Sequence, residues 1–115
     1  MARKAIGDWQ FAEIYPNYVA KLEKKGRPPE DLHTVITWLT GYDEAGIADQ
    51  IARETSFAEF FDEAPALHAN GGHIKGLICG IRVEDIEDPL TQKIRWLDKL
   101  VDELACGKKM QSILR

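Results

Sequence analysis

The chain has 115 residues, 44% of them hydrophobic and 30% charged, and a net charge of −4. That length accommodates one domain with its own apolar core and leaves no room for a second. The acidic balance gives no general attraction to nucleic acid or anionic lipid, and no run approaches the ~20 apolar residues that a membrane helix needs.

Met1 to Gly7 reads as a short basic arm, and MARKAIGDWQ lacks the apolar stretch of a secretory signal. Asp8 is expected to cap a first helix running to about Lys25. Phe11, Ile14, Tyr15, Tyr18, Val19 and Leu22 recur at helical spacing along it. Pro16 falls inside this pattern and predicts a kink or break near Glu13 to Tyr15, because its ring removes a backbone donor. Gly26, after a lysine-rich last turn, is the stop signal.

Pro28 and Pro29 open a second helix whose buried stripe is Leu32, Val35, Ile36 and Leu39, and Gly41 ends it. Asp43 caps a third helix to about Glu54, with Ile47, Ala48, Ile51 and Ala52 expected inward. Ser56 and Glu59 form a capping box for a short fourth helix that carries Phe57, Phe60, Phe61 and Ala64. Ala66 to Gly72 has the residue types of a loop. Gly76 to Val83 reads either way: Leu77, Ile78, Ile81 and Val83 suit a short strand, while the two glycines weaken strand and helix alike. From Asp88 and Pro89 a long helix runs to Cys106, with Leu90, Ile94, Leu97, Val101 and Leu104 on its seam and Trp96 and Leu100 beside it. Gly107 stops it, and Lys108 to Arg115 form a final turn or short helix. The fold class that follows is mostly α: about five helices in one domain over residues 1–115, packed around the helix from Asp88 to Cys106, with room for one short strand in 77–83.

Four separated segments carry a family resemblance. IYPNYVAKLEKKGR, WLTGY, FFDEAP and IKGLICGIRVEDIEDPL with the following IRWLDKLVDELA stand in the order found in the domain of unknown function 2200 family of small bacterial proteins, which the chain resembles from about Phe11 to Arg115. The resemblance implies a single bacterial, intracellular domain. It supplies no activity, cofactor or catalytic residue. The loop from His68 to His73 is richer in histidine and glycine than the family pattern.

Each chemistry-bearing residue also has a plainer structural role open to it. His68, His73 and Cys79 fit no metal-ligand spacing, so no metal and no cofactor is expected. His33 reads as a surface histidine. Cys79, in an apolar run, reads first as a buried thiol, and a reducing cytoplasm suits two cysteines without a disulfide framework. The best candidate ligand-binding set is Lys75, Cys79 and Arg82, where glycines let backbone amides approach an anion. Asp98 and Asp102, interleaved with Arg95 and Lys99, read as a surface ion-pair ladder. The helix pair 29–54 has a helix-turn-helix outline, yet its second helix carries Asp43, Glu44, Asp49 and Glu54 against the single Arg53, which disfavours DNA.

On these grounds the leading expectation is a non-enzymatic interaction module in the cytoplasm, forming a homodimer by pairing an unpartnered strand in 77–83 across a two-fold axis. Aromatic residues near polar segments, Trp9, Tyr42 and Trp96, suit an interface. The alternative is a small enzyme or anion-binding protein with its site at Lys75 to Arg82. DNA binding ranks third.

Overall fold

The computed structural model describes residues 6–78 and 80–114. The basic arm up to Ala5, Cys79 and Arg115 lie outside the described residues. The helices are α1 (Phe11–Glu23), α2 (Pro29–Thr40), α3 (Glu44–Ala52), α4 (Phe57–Asp62), α5 (Pro89–Ala105) and α6 (Met110–Ile113). Between α4 and α5 stand strands β1 (Leu77–Ile78) and β2 (Ile81–Arg82) and short 3-10 segments at Ala69–His73 and Val83–Asp85, and a further 3-10 segment, Ile6–Asp8, precedes α1. The chain is mostly α, as its sequence indicates.

Helix α5 is the hub, packing against α1, α2, α4, α6 and β1. Its N-cap is Asp88, whose carboxylate accepts from the Thr91 amide at 2.9 Å, and Pro89 takes the first turn, where a missing N–H costs nothing. Ile94, Leu97, Leu100, Val101 and Leu104 are all buried, so the seam extends to Leu100. Helix α2 buries Leu32, Val35, Ile36 and Leu39, as its spacing indicates.

Helix α1 departs from expectation at both points near its start. Asp8 belongs to the preceding 3-10 turn, and the N-cap is Gln10, with no side-chain cap. The entry is fixed by backbone instead: the Phe11 amide donates to Thr55 O at 2.9 Å and the Phe57 amide to Trp9 O at 2.8 Å. Pro16 produces no break, and the helix runs through it. Phe11 on one side and Tyr18 and Leu22 on the other are buried, so packing on both sides of the proline holds the helix together. Phe11 stacks on Phe60 with ring centroids 4.2 Å apart, which ties α1 to the aromatic helix α4.

Helix α3 is the second correction. Ile47 is buried and Ile51 half-buried, but Ala48 and Ala52 are exposed, and Gln50 is buried in their place. The inward face is therefore 47, 50 and 51. Gln50 is tolerated because Thr55 Oγ1 donates to its carbonyl at 2.6 Å and its amide donates to Glu63 Oε1 at 3.4 Å. Ser56 and Glu59 do form the capping box at α4.

The third correction concerns 77–83. The segment holds two strands, not one without a partner. Leu77 opposes Arg82 and Ile78 opposes Ile81 in an antiparallel hairpin. Gly80, at φ +78°, supplies the left-handed residue that a two-residue hairpin turn needs.

Candidate functional site

The hairpin is held at its base by three interactions. The Val83 amide donates to Gly76 O at 2.9 Å. The Gly76 amide donates to Glu84 Oε1 at 3.1 Å. Lys99 Nζ, from α5, donates to Leu77 O at 3.1 Å. Gly76 sits at φ +114°, a conformation that side-chain-bearing residues rarely adopt, and the Lys99 side chain passes within 3.3 Å of where a Cβ would stand. Ile74 and Val83, both fully buried, anchor the two ends, and Ile78 faces inward.

Cross-strand partners share a face, so Ile81 lies on the face of Ile78 and Leu77 on that of Arg82, and each face carries one exposed apolar side chain. Leu77 is 58% exposed and Ile81 49%. Beside them Lys75, Arg82, Glu84 and Asp85 are all exposed, so both signs of charge border the apolar pair. The Glu84 carboxyl is held below the usual carboxylate range, first by its own backbone amide and then by the Gly76 amide, with the Arg82 and Lys75 cations adding to the effect. Lys75 and Arg82 thus act on the Glu84 carboxyl through their charge, after the two backbone amides. Cys79, the third member of the set read from the sequence, lies outside the described residues. The Gly76 backbone amide, in the glycine-spaced run that the sequence offered to an anion, is engaged by Glu84.

The two histidines of the loop stand in different surroundings. His68 caps the 3-10 turn, its Nδ1 accepting from the Asn70 amide at 2.9 Å, and stacks on Trp38 at 4.1 Å, while His73 is exposed. Among the described residues no group of three His, Cys, Asp or Glu side chains is placed to hold a metal ion. Cys106 is an exposed free thiol at the end of α5.

His33 is less isolated than a surface histidine. Its Nδ1 stands 3.3 Å from Glu44 Oε1 and its Nε2 2.5 Å from the Tyr15 hydroxyl, so it links α1, α2 and α3. The tautomer that fits donates to Glu44 and accepts from Tyr15. The signal was present in the sequence only as a histidine one turn off the apolar stripe. The ion pairs read on α5 form, Arg95 with Asp98 at 3.0 Å and Lys99 with Asp102 at 3.9 Å, but their side chains are mostly buried rather than on the surface. At the N-cap of α3 and along it, Asp43, Glu44 and Asp49 are exposed, the wrong charge for a helix that would meet phosphates. No helix among the described residues is long and apolar enough to cross a membrane.

A family model described as "Uncharacterized protein conserved in bacteria (DUF2200)" matches residues 5–115. The chain is also similar to a solved protein described as "Crystal structure of uncharacterized protein SP1917", with 43% sequence identity and a TM-score of 0.89, over 99% of this chain and 93% of that one. No curated protein matches.

Proposed function

This chain belongs to that uncharacterised bacterial family, DUF2200, and from that footing we propose that it is a non-enzymatic interaction module of the cytoplasm that pairs with a second copy of itself through the β1–β2 hairpin. The observation that carries the reading is the exposure of Leu77 and Ile81, at 58% and 49%, on a hairpin fixed at its base by Glu84 and Lys99. Large apolar side chains presented on a pinned element favour contact over solvation. A second copy suits the surface because an isologous contact needs residue i to meet j while j meets i. Two hairpins meeting about a two-fold axis satisfy that requirement, and the exposed Lys75 and Arg82 can face Glu84 and Asp85 across the axis. Light scattering tests it. The parent chain should gain mass with concentration, and Leu77→Lys with Ile81→Lys should remain monomeric with an unchanged melting temperature. A double variant that associates like the parent would refute the hairpin as the contact.

One observation favours a second reading, a small enzyme or anion-binding protein with its site at Lys75, Cys79 and Arg82. Both cations and the Gly76 amide already act on a single negative group, the Glu84 carboxylate, so a free anion displacing that side chain would meet the same partners. The rate of Cys79 alkylation separates the two readings. Slowing by inorganic phosphate supports the anion site, and indifference to phosphate removes it.

A further inference from the structure

Away from the hairpin, a cavity of about 320 Å³ opens between α1, the start of α4 and α5. It shares no residue with the hairpin. Its deep walls are Phe57 and Ile94, both almost wholly buried, and Ile14 and the 41%-exposed Trp9 complete the apolar lining. Among the described residues the polar side is formed by Asn17, Arg95 and Asp98. The backbone at its rim is fixed, because the Trp9 carbonyl is bound by the Phe57 amide at 2.8 Å and the neighbouring Phe11 amide binds Thr55 O. Concave, mostly apolar sites with a few convergent polar groups are where small molecules bind, and this volume lies at the small end of their range.

The polar side defines the ligand. Asp98 accepts from the buried Tyr18 hydroxyl through Oδ1 and from Arg95 Nη1, at 3.0 Å, through Oδ2. Both members of the ion pair are mostly buried, with 23% and 19% of their side chains exposed. The pair is neutral as a unit. An anion entering here would compete with Asp98 for Arg95, and a cation would compete with Arg95 and Tyr18 for Asp98. A neutral group pays neither cost. Each carboxylate oxygen keeps a second lone pair for a donor, and the Asn17 amide supplies a donor and an acceptor. We infer that the cavity binds a small uncharged planar molecule, its apolar face against Trp9 and Ile14 and a primary-amide-like edge, donor beside acceptor, against Asp98 and Asn17.

Benzamide, benzoate and benzylamine form a near-isosteric neutral, anionic and cationic set for the test. Each is titrated into the full-length protein while amide and indole N–H resonances are followed by NMR. Benzamide at millimolar concentration should give saturable shifts centred on the Trp9 indole, the Asn17 side chain and Ile94, and the two charged probes should bind about tenfold or more weakly. Asp98→Asn should weaken benzamide about tenfold. Should that variant lose its fold, Asn17→Ala decides, because Asn17 is exposed on α1 and its removal should weaken benzamide several-fold with no change in melting temperature. Absence of saturable shifts with benzamide, equal binding of a charged probe, or an Asn17→Ala protein that binds as the parent does would each overturn the assignment.

Discussion

The Glu84 carboxylate accepts a hydrogen bond from the Gly76 amide at 3.1 Å, closing the base of the β1–β2 hairpin from the far side of its turn. A glycine-flanked amide of this kind is where an external anion would sit, and the chain places its own anion there. Glu84 has a depressed folded-state pKa, so its contribution is present above the ordinary glutamate range and is lost as pH falls through the lower, folded value. The Gly76 amide resonance should therefore titrate with a midpoint below ordinary glutamate. A midpoint at or above that of a free glutamate would contradict the contact.

Leu97 lies at the centre of the α5 seam and is fully buried. Leu97→Ala should lower stability by ~2–5 kcal/mol in denaturant titration, through lost transfer energy and the cavity left behind. A loss under ~1 kcal/mol would mean that the seam is not the core.

All three tyrosine hydroxyls resist ionisation, in each case chiefly because burial penalises the phenolate. Tyr42 is pushed up from its ordinary 10.0 to about 12. Tyr15 is raised, with Glu44 adding to the effect, and Tyr18 well raised, with Asp98 adding. Their folded-state values exceed the unfolded ones, so this stability is complete below the ordinary tyrosine pKa and drains away as pH climbs through the folded values. Tyrosinate absorbance should show no folded-state midpoint near the free value of about 10, and stability should fall in the alkaline range above it. A tyrosine titrating in the folded protein at the free value would contradict this packing.

Gly71 has Trp96 against it, and a Cβ there would stand 2.6 Å from the Trp96 ring. Gly71→Ala should cost ~1–3 kcal/mol by overpacking. The adjacent Gly72 has open space, so Gly72→Ala is the matched control and should be near neutral. Equal melting temperatures for the two variants would place Trp96 elsewhere.

How much of this was legible in the sequence depended on how strong each local signal is. Helices α2 and α5 carry large aliphatic residues at unbroken helical spacing, with proline in the first turn, and both appear as read. Helix α3 does not, because alanine at 48 and 52 gives no information about which face is inward. The burial of Gln50 depends on Thr55 and Glu63, partners that only the fold supplies. Pro16 signalled a break that packing of Phe11, Tyr18 and Leu22 overrides. At the candidate site, Gly76 and Gly80 marked a special backbone, but an apolar residue in a sequence reads as buried. The exposure of Leu77 and Ile81 was invisible until the hairpin was placed on α5. Glu84 was hidden for the same reason, since its partner is a backbone amide whose direction the turn determines.

If copies of this chain meet through the hairpin, the contact should be visible residue by residue in solution. A dilution series followed by amide NMR tests both the association and its location. Resonances of residues 75–85 should shift with protein concentration along a two-state curve, and those of the α3 surface should not. Spectra that do not change with concentration, or changes confined to another face, would contradict the account.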